Sequence, residues 1–199
     1  MKIGVVAVQG AVSEHVEVLS KAMEELKIDG SAVYVRTLKD LNDVSGLVIP
    51  GGESTTINRL MLTTGMHERI IELAKKGLPI LGTCAGTILL AKEGDEQVKR
   101  TNTKLLELMD MKVFRNAYGR QVNSFETDVK IPEIDDRPFR AVFIRAPTIE
   151  KVWADTKVWA EYQDTIIGAR KGNILALTFH PELSDDLRIH KYFIKMVMK

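Results

Sequence analysis

The sequence predicts an α/β fold: a three-layer, doubly wound, mostly parallel sheet to which antiparallel strands are added. Short apolar runs alternate with amphipathic segments through the first ninety residues, as in parallel strands joined by crossover helices. From residue 111 onward, short β-like segments dominate instead. The chain of 199 residues is 45% hydrophobic and 28% charged, and no linker, repeat or low-complexity segment interrupts it. We therefore expect one domain, residues 1–199.

The first half contains the predicted strand–helix alternation. Ile3 to Val8 is a continuous apolar run, typical of a strand buried on both faces. The next segment has apolar residues at steps of three and four, which predicts a helix with Ser13 as its cap. Further strands are predicted at 32–35, 47–49 and 78–81, and helices begin at Ser54 and cover 66–76.

The second half has a different pattern. Residues 93 to 104 are polar and charged, which predicts a surface loop. Ser184 is predicted to cap a final helix. Between them, strands are predicted at 111–114, 122–129, 139–144, 158–162, 166–170 and 174–179.

Charge and composition exclude several functional classes. Formal net charge is +1, from 28 basic and 27 acidic residues, so nucleic acid and anionic membranes are not expected partners. No apolar run approaches the length that spans a bilayer. The single cysteine permits no internal disulfide and leaves nothing for a cysteine zinc cluster. We expect a cytoplasmic protein.

That cysteine stands in the most informative stretch of the chain. The apolar run 78–81 ends in Gly82-Thr-Cys84-Ala85-Gly86, and helix-forming residues follow at once. This is the pattern of a nucleophile elbow, in which a sharp turn between strand and helix exposes the reactive side chain. The N–H of Ala85, at the start of the helix, is placed to bind a developing oxyanion. The alternative is that Cys84 is a small buried apolar residue.

A cysteine nucleophile needs a base, and His180 is the predicted one because it stands at the end of a core strand. Glu182 follows two residues later, and an extended chain would place both side chains on one face, where a carboxylate orients the imidazole. Taken alone, His-Pro-Glu is better explained as a turn that ends a strand. The other three histidines lie in charged helical stretches and are predicted to be surface residues: His15, His67 and His190.

A third stretch supplies a second oxyanion donor. Pro50-Gly51-Gly52-Glu53-Ser54 follows a predicted strand, and glycine allows a backbone N–H to turn towards a substrate. It can also be an ordinary strand-to-helix turn. The strand ends near residues 49, 81 and 179 would meet at one edge of a parallel sheet, where ligands bind in such folds.

Together, the stretches Gly82–Gly86 and His180–Glu182 resemble the triad-type, class I glutamine amidotransferases. Further stretches narrow the resemblance to the glutaminase subunits of ribose 5-phosphate-dependent pyridoxal 5′-phosphate synthases. They are Gln9–Val12 with Glu14-His15, Pro50–Thr56, Arg115–Gln121 and Phe143–Pro147. The resemblance covers essentially the whole chain and implies a class I glutamine amidotransferase-like fold.

The resemblance also implies roles for individual residues. The catalytic residues would be Cys84, His180 and Glu182, with Gly51, Gly52 and Ala85 forming the oxyanion hole. Glutamine would be bound by Gly52, Glu53, Ser54, Arg115, Arg145 and the backbone of Ile144. A guanidinium suits the α-carboxylate of glutamine because it can donate paired hydrogen bonds. Gln9 resembles a residue near the oxyanion loop and the synthase contact.

The implied activity is hydrolysis of L-glutamine to glutamate and ammonia, without a metal or a cofactor. The implied partner is a synthase (lyase) subunit that uses the ammonia, in a complex with twelve copies of each subunit. Three alternatives remain at this stage. The chain could feed another acceptor synthase, such as imidazole glycerol phosphate synthase, it could be a non-catalytic regulatory subunit, or the three polar residues could bind a metal.

Overall fold

A computed structural model describes residues 1–115 and 124–199. Its strands, in chain order, are β1 (Lys2–Val6), β2 (Ser31–Val35), β3 (Gly46–Ile49), β4 (Ile80–Thr83), β5 (Ala91–Gly94), β6 (Met109–Phe114), β7 (Ser124–Ile131), β8 (Asp135–Ile144), β9 (Thr148–Val152), β10 (Lys157–Tyr162), β11 (Thr165–Lys171) and β12 (Ile174–Leu177). The helices are α1 (Val12–Glu25), α2 (Leu38–Asn42), α3 (Ser54–Thr63), α4 (Met66–Lys75), α5 (Ala85–Leu90), α6 (Glu96–Arg100) and α7 (Arg188–Val197).

The main sheet is parallel on one side and mixed on the other. Its strands follow the order β2-β1-β3-β4-β12-β11-β9-β6-β5, with β10 paired to β11. The first five are mutually parallel, whereas β11 and β9 run antiparallel to their neighbours. Strands β7 and β8 form a separate hairpin. The predicted fold class, a mostly parallel sheet with added antiparallel strands, is confirmed.

Alternating side chains of the central strands build two hydrophobic cores, one on each face of the sheet. In β4, Ile80 faces the core that includes α3, α4 and α5, and Leu81 faces the core that includes α1, α7 and the β7–β8 hairpin. Such two-sided burial explains why these strands are apolar throughout. The parallel pairing of β12 with β4 sets Leu177 opposite Thr83, so the segments that follow both strands emerge side by side.

Several local predictions were wrong. The supposed loop at 93–104 contains the end of β5 and the short helix α6, which Asp95 caps by accepting hydrogen bonds from the Gln97 and Val98 N–H groups. Strand β9 was not predicted. Helix α1 begins at Val12 without a side-chain cap, and α7 begins at Arg188, beyond Ser184.

Predictions for residues 116–123 lie outside the described residues. They include most of the motif at 115–121 and the first residues of the strand predicted at 122–129. Among the described helices, none is long and apolar enough to cross a membrane.

Candidate active site

Cys84 occupies a sharp turn between β4 and α5. Its φ of +48° lies in a region that non-glycine residues rarely adopt, and such strain is often found at functional sites. The turn is fixed on one side by the Cys84 N–H, which donates to the Leu177 carbonyl at 2.8 Å. On the other side, a Cβ on Gly86 would lie 2.0 Å from the Ile49 carbonyl oxygen. Only glycine therefore allows α5 to pack so closely against β3.

His180 is positioned by two different parts of the fold. It follows β12, and its N–H donates to the Val142 carbonyl of β8 at 2.8 Å. Its Nδ1 lies 2.6 Å from Oε1 of Glu182. This contact was predicted for an extended chain, but residues Pro181–Leu183 form a 3₁₀ turn instead. The turn still brings the two side chains together because proline fixes the φ angle of the residue between them.

The sulfur, the imidazole and the Gly51 backbone are in mutual contact. The Cys84 thiol interacts with the His180 imidazole and contributes to its raised pKa. Because Nδ1 is engaged with Glu182, we assign Nε2 to the sulfur. A Cβ on Gly51 would lie 2.3 Å from Cε1 of His180 and 3.3 Å from Cβ of Cys84. The three residues predicted from separate stretches of sequence thus lie at one point of the sheet edge.

Burial and neighbouring charges shift the pKa values of His180 and Glu182 in opposite directions. Burial disfavours an imidazolium at His180, but hydrogen bonds and charges from Cys84 and Glu182 outweigh it and raise the pKa of His180 to about 10. Burial would likewise raise the pKa of Glu182, yet contact with His15 and His180 lowers that pKa to about 2. The site therefore favours a negative carboxylate beside a positive imidazole.

A cavity of about 430 Å³ opens beside the sulfur. Most of the site residues predicted from the sequence line it: Gly52, Glu53, Ser54, Cys84, Ala85, Arg115, Ile144, Arg145 and His180. Glu182 and Gly51 are the exceptions, since both contact the imidazole from behind or beside the cavity. The volume is adequate for one small amino acid.

The polar wall of the cavity is organised by Glu53. Its carboxylate caps α3 by accepting from the Thr56 N–H at 3.0 Å and pairs with the Arg115 guanidinium across the cavity. Burial would raise the pKa of Glu53, but the hydrogen bonds from Thr55 and Thr56 and the charge of Arg115 outweigh it and lower the pKa. Arg145, at a φ of +43°, has no charged partner among the described residues. Away from the imidazole, this wall of the cavity thus presents one carboxylate, Glu53, and two guanidinium groups, Arg115 and Arg145.

The loop between β1 and α1 supports the Gly51-Gly52 turn. The Ala11 N–H donates to the Gly51 carbonyl at 3.0 Å, and the Glu53 N–H donates to Oε1 of Gln9 at 2.8 Å. A trans peptide holds its C=O and N–H on opposite sides, so the contact with Ala11 fixes the direction in which the Gly52 N–H points.

The prediction that three histidines lie at the surface was wrong, because His15, His67 and His190 are all fully buried. His15 and His190 lie behind Glu182 and contact each other, whereas His67 binds the Lys104 carbonyl elsewhere. The amphipathic pattern of α1 gives a partial signal, since His15 lies four residues before the buried Leu19. Within residues 1–115 and 124–199, no group of three or more His, Cys, Asp or Glu side chains is arranged to hold a metal.

The fold and the site define the class of protein, because this chain superposes on a crystal structure of a glutamine amidotransferase with a TM-score of 0.86. That structure is 37% identical, and the alignment covers 99% of each chain. The chain belongs to the SNO glutamine amidotransferase family, whose model matches residues 5–199. This confirms the class I amidotransferase-like fold expected from the elbow motif.

Curated relatives resemble the chain over its full length. A "Pyridoxal 5′-phosphate synthase subunit PdxT" from Methanosarcina barkeri is 51% identical, over 100% of this chain and 99% of the relative. A protein of the same name from Pyrococcus furiosus is 50% identical, over 100% of both chains. The narrower resemblance seen in the sequence motifs is therefore confirmed.

Proposed function

We propose that this protein hydrolyses L-glutamine to L-glutamate and ammonia and supplies the ammonia to a pyridoxal 5′-phosphate synthase subunit. The observation that carries the proposal is the contact of His180 with both Cys84 and Glu182 beside a cavity of amino-acid size. Membership of the glutamine amidotransferase family and full-length similarity to the synthase subunits support the choice of substrate and acceptor.

The first chemical step forms a thioester. Nε2 of His180 holds the proton taken from the thiol, as its raised pKa of about 10 favours, and Sγ of the Cys84 thiolate attacks the side-chain amide carbon of glutamine. The carbonyl π electrons move to the oxygen, and the oxyanion is held by N–H groups of Ala85 and of the Gly51-Gly52 turn. His180 then donates its proton to the leaving nitrogen, the C–N bond breaks and ammonia departs.

The second step returns the enzyme to its starting state. Water attacks the thioester carbon as His180 accepts one of its protons, and the C–S bond breaks to release glutamate. This restores the Cys84 thiolate and the His180 imidazolium. Glu182 remains ionised throughout and stabilises the imidazolium.

The charged side chains of the cavity match the ends of glutamine. The α-carboxylate is bound by Arg115 and Arg145, because guanidinium groups donate paired hydrogen bonds to carboxylates. The α-ammonium lies near the carboxylate of Glu53, which Arg115 neutralises in the absence of substrate. The remaining contacts come from Gly52, Ser54 and the backbone of Ile144, which also line the cavity.

The ammonia acceptor lies in a separate chain. Ammonia passes directly between the subunits, since ammonia released into bulk water is protonated to ammonium, which is not a nucleophile. The family resemblance implies that the partner condenses the ammonia with ribose 5-phosphate and glyceraldehyde 3-phosphate, in a complex of twelve copies of each subunit. We further propose that residues 1–199 act as one glutaminase domain in the cytoplasm.

Glutamine hydrolysis is expected to rise about 10²- to 10³-fold when the cognate synthase subunit is added, which is the usual effect of one oxyanion-hole donor on kcat. The physical reason is that the Gly52 N–H direction depends on the contact between Ala11 and Gly51 at the loop surface, where a docked partner can reorient it. Glutamate release by the purified chain, with and without the partner, measures the effect.

An imidazole glycerol phosphate synthase subunit, added at the same concentration, is the matched control and is expected to give no stimulation. If the cognate subunit leaves the rate unchanged, or if the control subunit stimulates it equally, the proposed partner is wrong. A chain that never releases glutamate with either subunit would instead support a non-catalytic role.

A further inference from the structure

Two buried histidines extend the active site into the protein interior. His15 lies in α1 and His190 in α7, both with no exposed surface. Their rings are in contact, with Nδ1 of His15 3.1 Å from Nε2 of His190. On its other side, Nε2 of His15 lies 3.3 Å from Oε2 of Glu182. A continuous row of polar groups therefore runs from the sulfur of Cys84 to α7.

His15 lies against the oxygen of Glu182 that His180 does not use. Oε1 of Glu182 accepts from His180, whereas Oε2 is buried without a hydrogen bond of normal geometry. Among the described residues, His15 is the only other side chain whose nitrogen contacts this carboxylate. Because an ionised carboxylate only accepts hydrogen bonds, the contact is favourable only if Nε2 of His15 carries a proton.

The groups around His15 favour the tautomer that carries its proton on Nε2. Burial lowers the pKa of His15 and lowers that of His190 to about 3, so both rings are neutral near pH 7 and each carries one N–H. Between the two rings, one nitrogen must donate and the other accept. If Nδ1 of His15 donated, the N–H of His190 would lie on its Nδ1, which is buried without a partner. An unpaired buried donor is costly.

The favoured arrangement is a row of donors directed at the carboxylate. Nε2–H of His190 donates to Nδ1 of His15, and Nε2 of His15 hydrogen-bonds the Thr83 hydroxyl at 3.1 Å and lies 3.3 Å from Oε2 of Glu182. We propose that His15 is a positioning residue for glutamine hydrolysis: it holds the Glu182 carboxylate in line with His180, and His190 keeps His15 in the required tautomer. This inference rests on the function proposed above.

Loss of the His15 contact would affect catalysis by changing the alignment of the Glu182 carboxylate with Nδ1 of His180. A carboxylate held at one oxygen only can rotate about its side-chain bonds, which weakens its hydrogen bond to Nδ1 of His180. The imidazolium is then less stabilised, and the pKa of His180 falls. The charged and titratable groups around His15 are Glu182, His180, Glu14 and His190, and of these only Glu182 and His180 belong to the reacting group.

The test compares two substitutions of His15 in the complex with the synthase subunit. His15→Leu removes the donor, and we expect kcat to fall about 10- to 100-fold, less than the roughly 10⁴-fold cost of a wrong tautomer in a catalytic triad. KM should stay within about twofold, since His15 does not line the cavity. The alkaline limb of the pH–rate profile, which reports His180, should move about one unit towards lower pH.

His15→Gln restores an amide N–H near the position of Nε2 and should recover most of kcat and of the alkaline limb. The matched control is His67→Leu, because His67 is equally buried but lies in α4, on the opposite face of the sheet. It is expected to lower thermal stability while leaving kcat, KM and the pH profile as in the wild type. His190→Leu removes the donor that keeps the proton of His15 on Nε2. It should shift the alkaline limb of the pH–rate profile in the same direction as His15→Leu, but by less.

The inference is overturned if His15→Leu has the wild-type pH profile, or if His15→Gln is as impaired as His15→Leu. Should His15→Leu not fold, His15→Gln and His190→Leu decide the question: wild-type behaviour of His190→Leu would contradict the proposed row of donors. A wild-type complex without glutaminase activity would contradict the proposed function itself, and an active wild type with insensitive His15 variants would contradict this inference alone.

Discussion

Replacing Cys84 by alanine is expected to lower glutamate release by the complex by about 10⁴-fold or more, the usual cost of losing the nucleophile of a triad. Alanine keeps the Cβ and therefore the same backbone cost at a φ of +48°, so the substitution removes the sulfur and little else. Steady-state glutamate release with the synthase subunit present is the measurement.

The thermal midpoint of the Cys84→Ala chain and its binding to the synthase subunit serve as controls, and both should match the wild type. Because Cys84 is the only cysteine, no neighbouring thiol can replace it. A variant that released glutamate at the normal rate would remove Cys84 from the mechanism.

A single methyl group on Gly51 is expected to lower kcat by about 100-fold, comparable to the loss of one oxyanion donor. The Cβ of an alanine would lie 2.3 Å from Cε1 and 3.0 Å from Nδ1 of His180, so the imidazole or the turn must move. Either movement separates the base from the sulfur or misdirects the N–H of Gly52. Initial rates at saturating glutamine report the change.

Gly77→Ala is the matched control for Gly51→Ala. Gly77 lies after α4 with nothing within 4 Å of an added Cβ, although its φ of +96° makes any side chain there somewhat strained. This variant should lose stability without losing kcat, whereas Gly51→Ala should lose kcat. Equal rates for the two variants would mean that the Gly51 turn does not contact the reacting groups.

The parts of the site that could be predicted from the sequence are those fixed by short-range patterns. The run from Leu78 to Gly86 specifies a strand, a strained turn and a helix within nine residues, and the structure has all three. The spacing of His180 and Glu182 predicted their contact, even though the conformation between them is a 3₁₀ turn and not a strand. Local chemistry was sufficient in both cases.

The parts that could not be predicted depend on what packs against a side chain. A histidine in a charged helical stretch gives no indication of its partners, and His15 is buried because α7 and the Glu182 turn close over it. Strand β9 was missed because Thr148–Val152 contains a charged pair, Glu150-Lys151, and is stabilised by pairing with β6 and β11. Tertiary contacts determine the burial of His15 and the formation of β9, and the pattern of a single sequence does not reveal such contacts.

The most direct measurement of the central claim is the mass of the chain during turnover, since the claim is that the sulfur of Cys84 becomes acylated. We expect acid quenching of the complex with glutamine to trap a chain carrying one glutamyl group, localised by peptide mapping to the peptide containing Cys84, and absent from Cys84→Ala. A glutamyl group on another residue would contradict this mechanism. So would the absence of any acylated chain when the active complex is quenched during its first turnover.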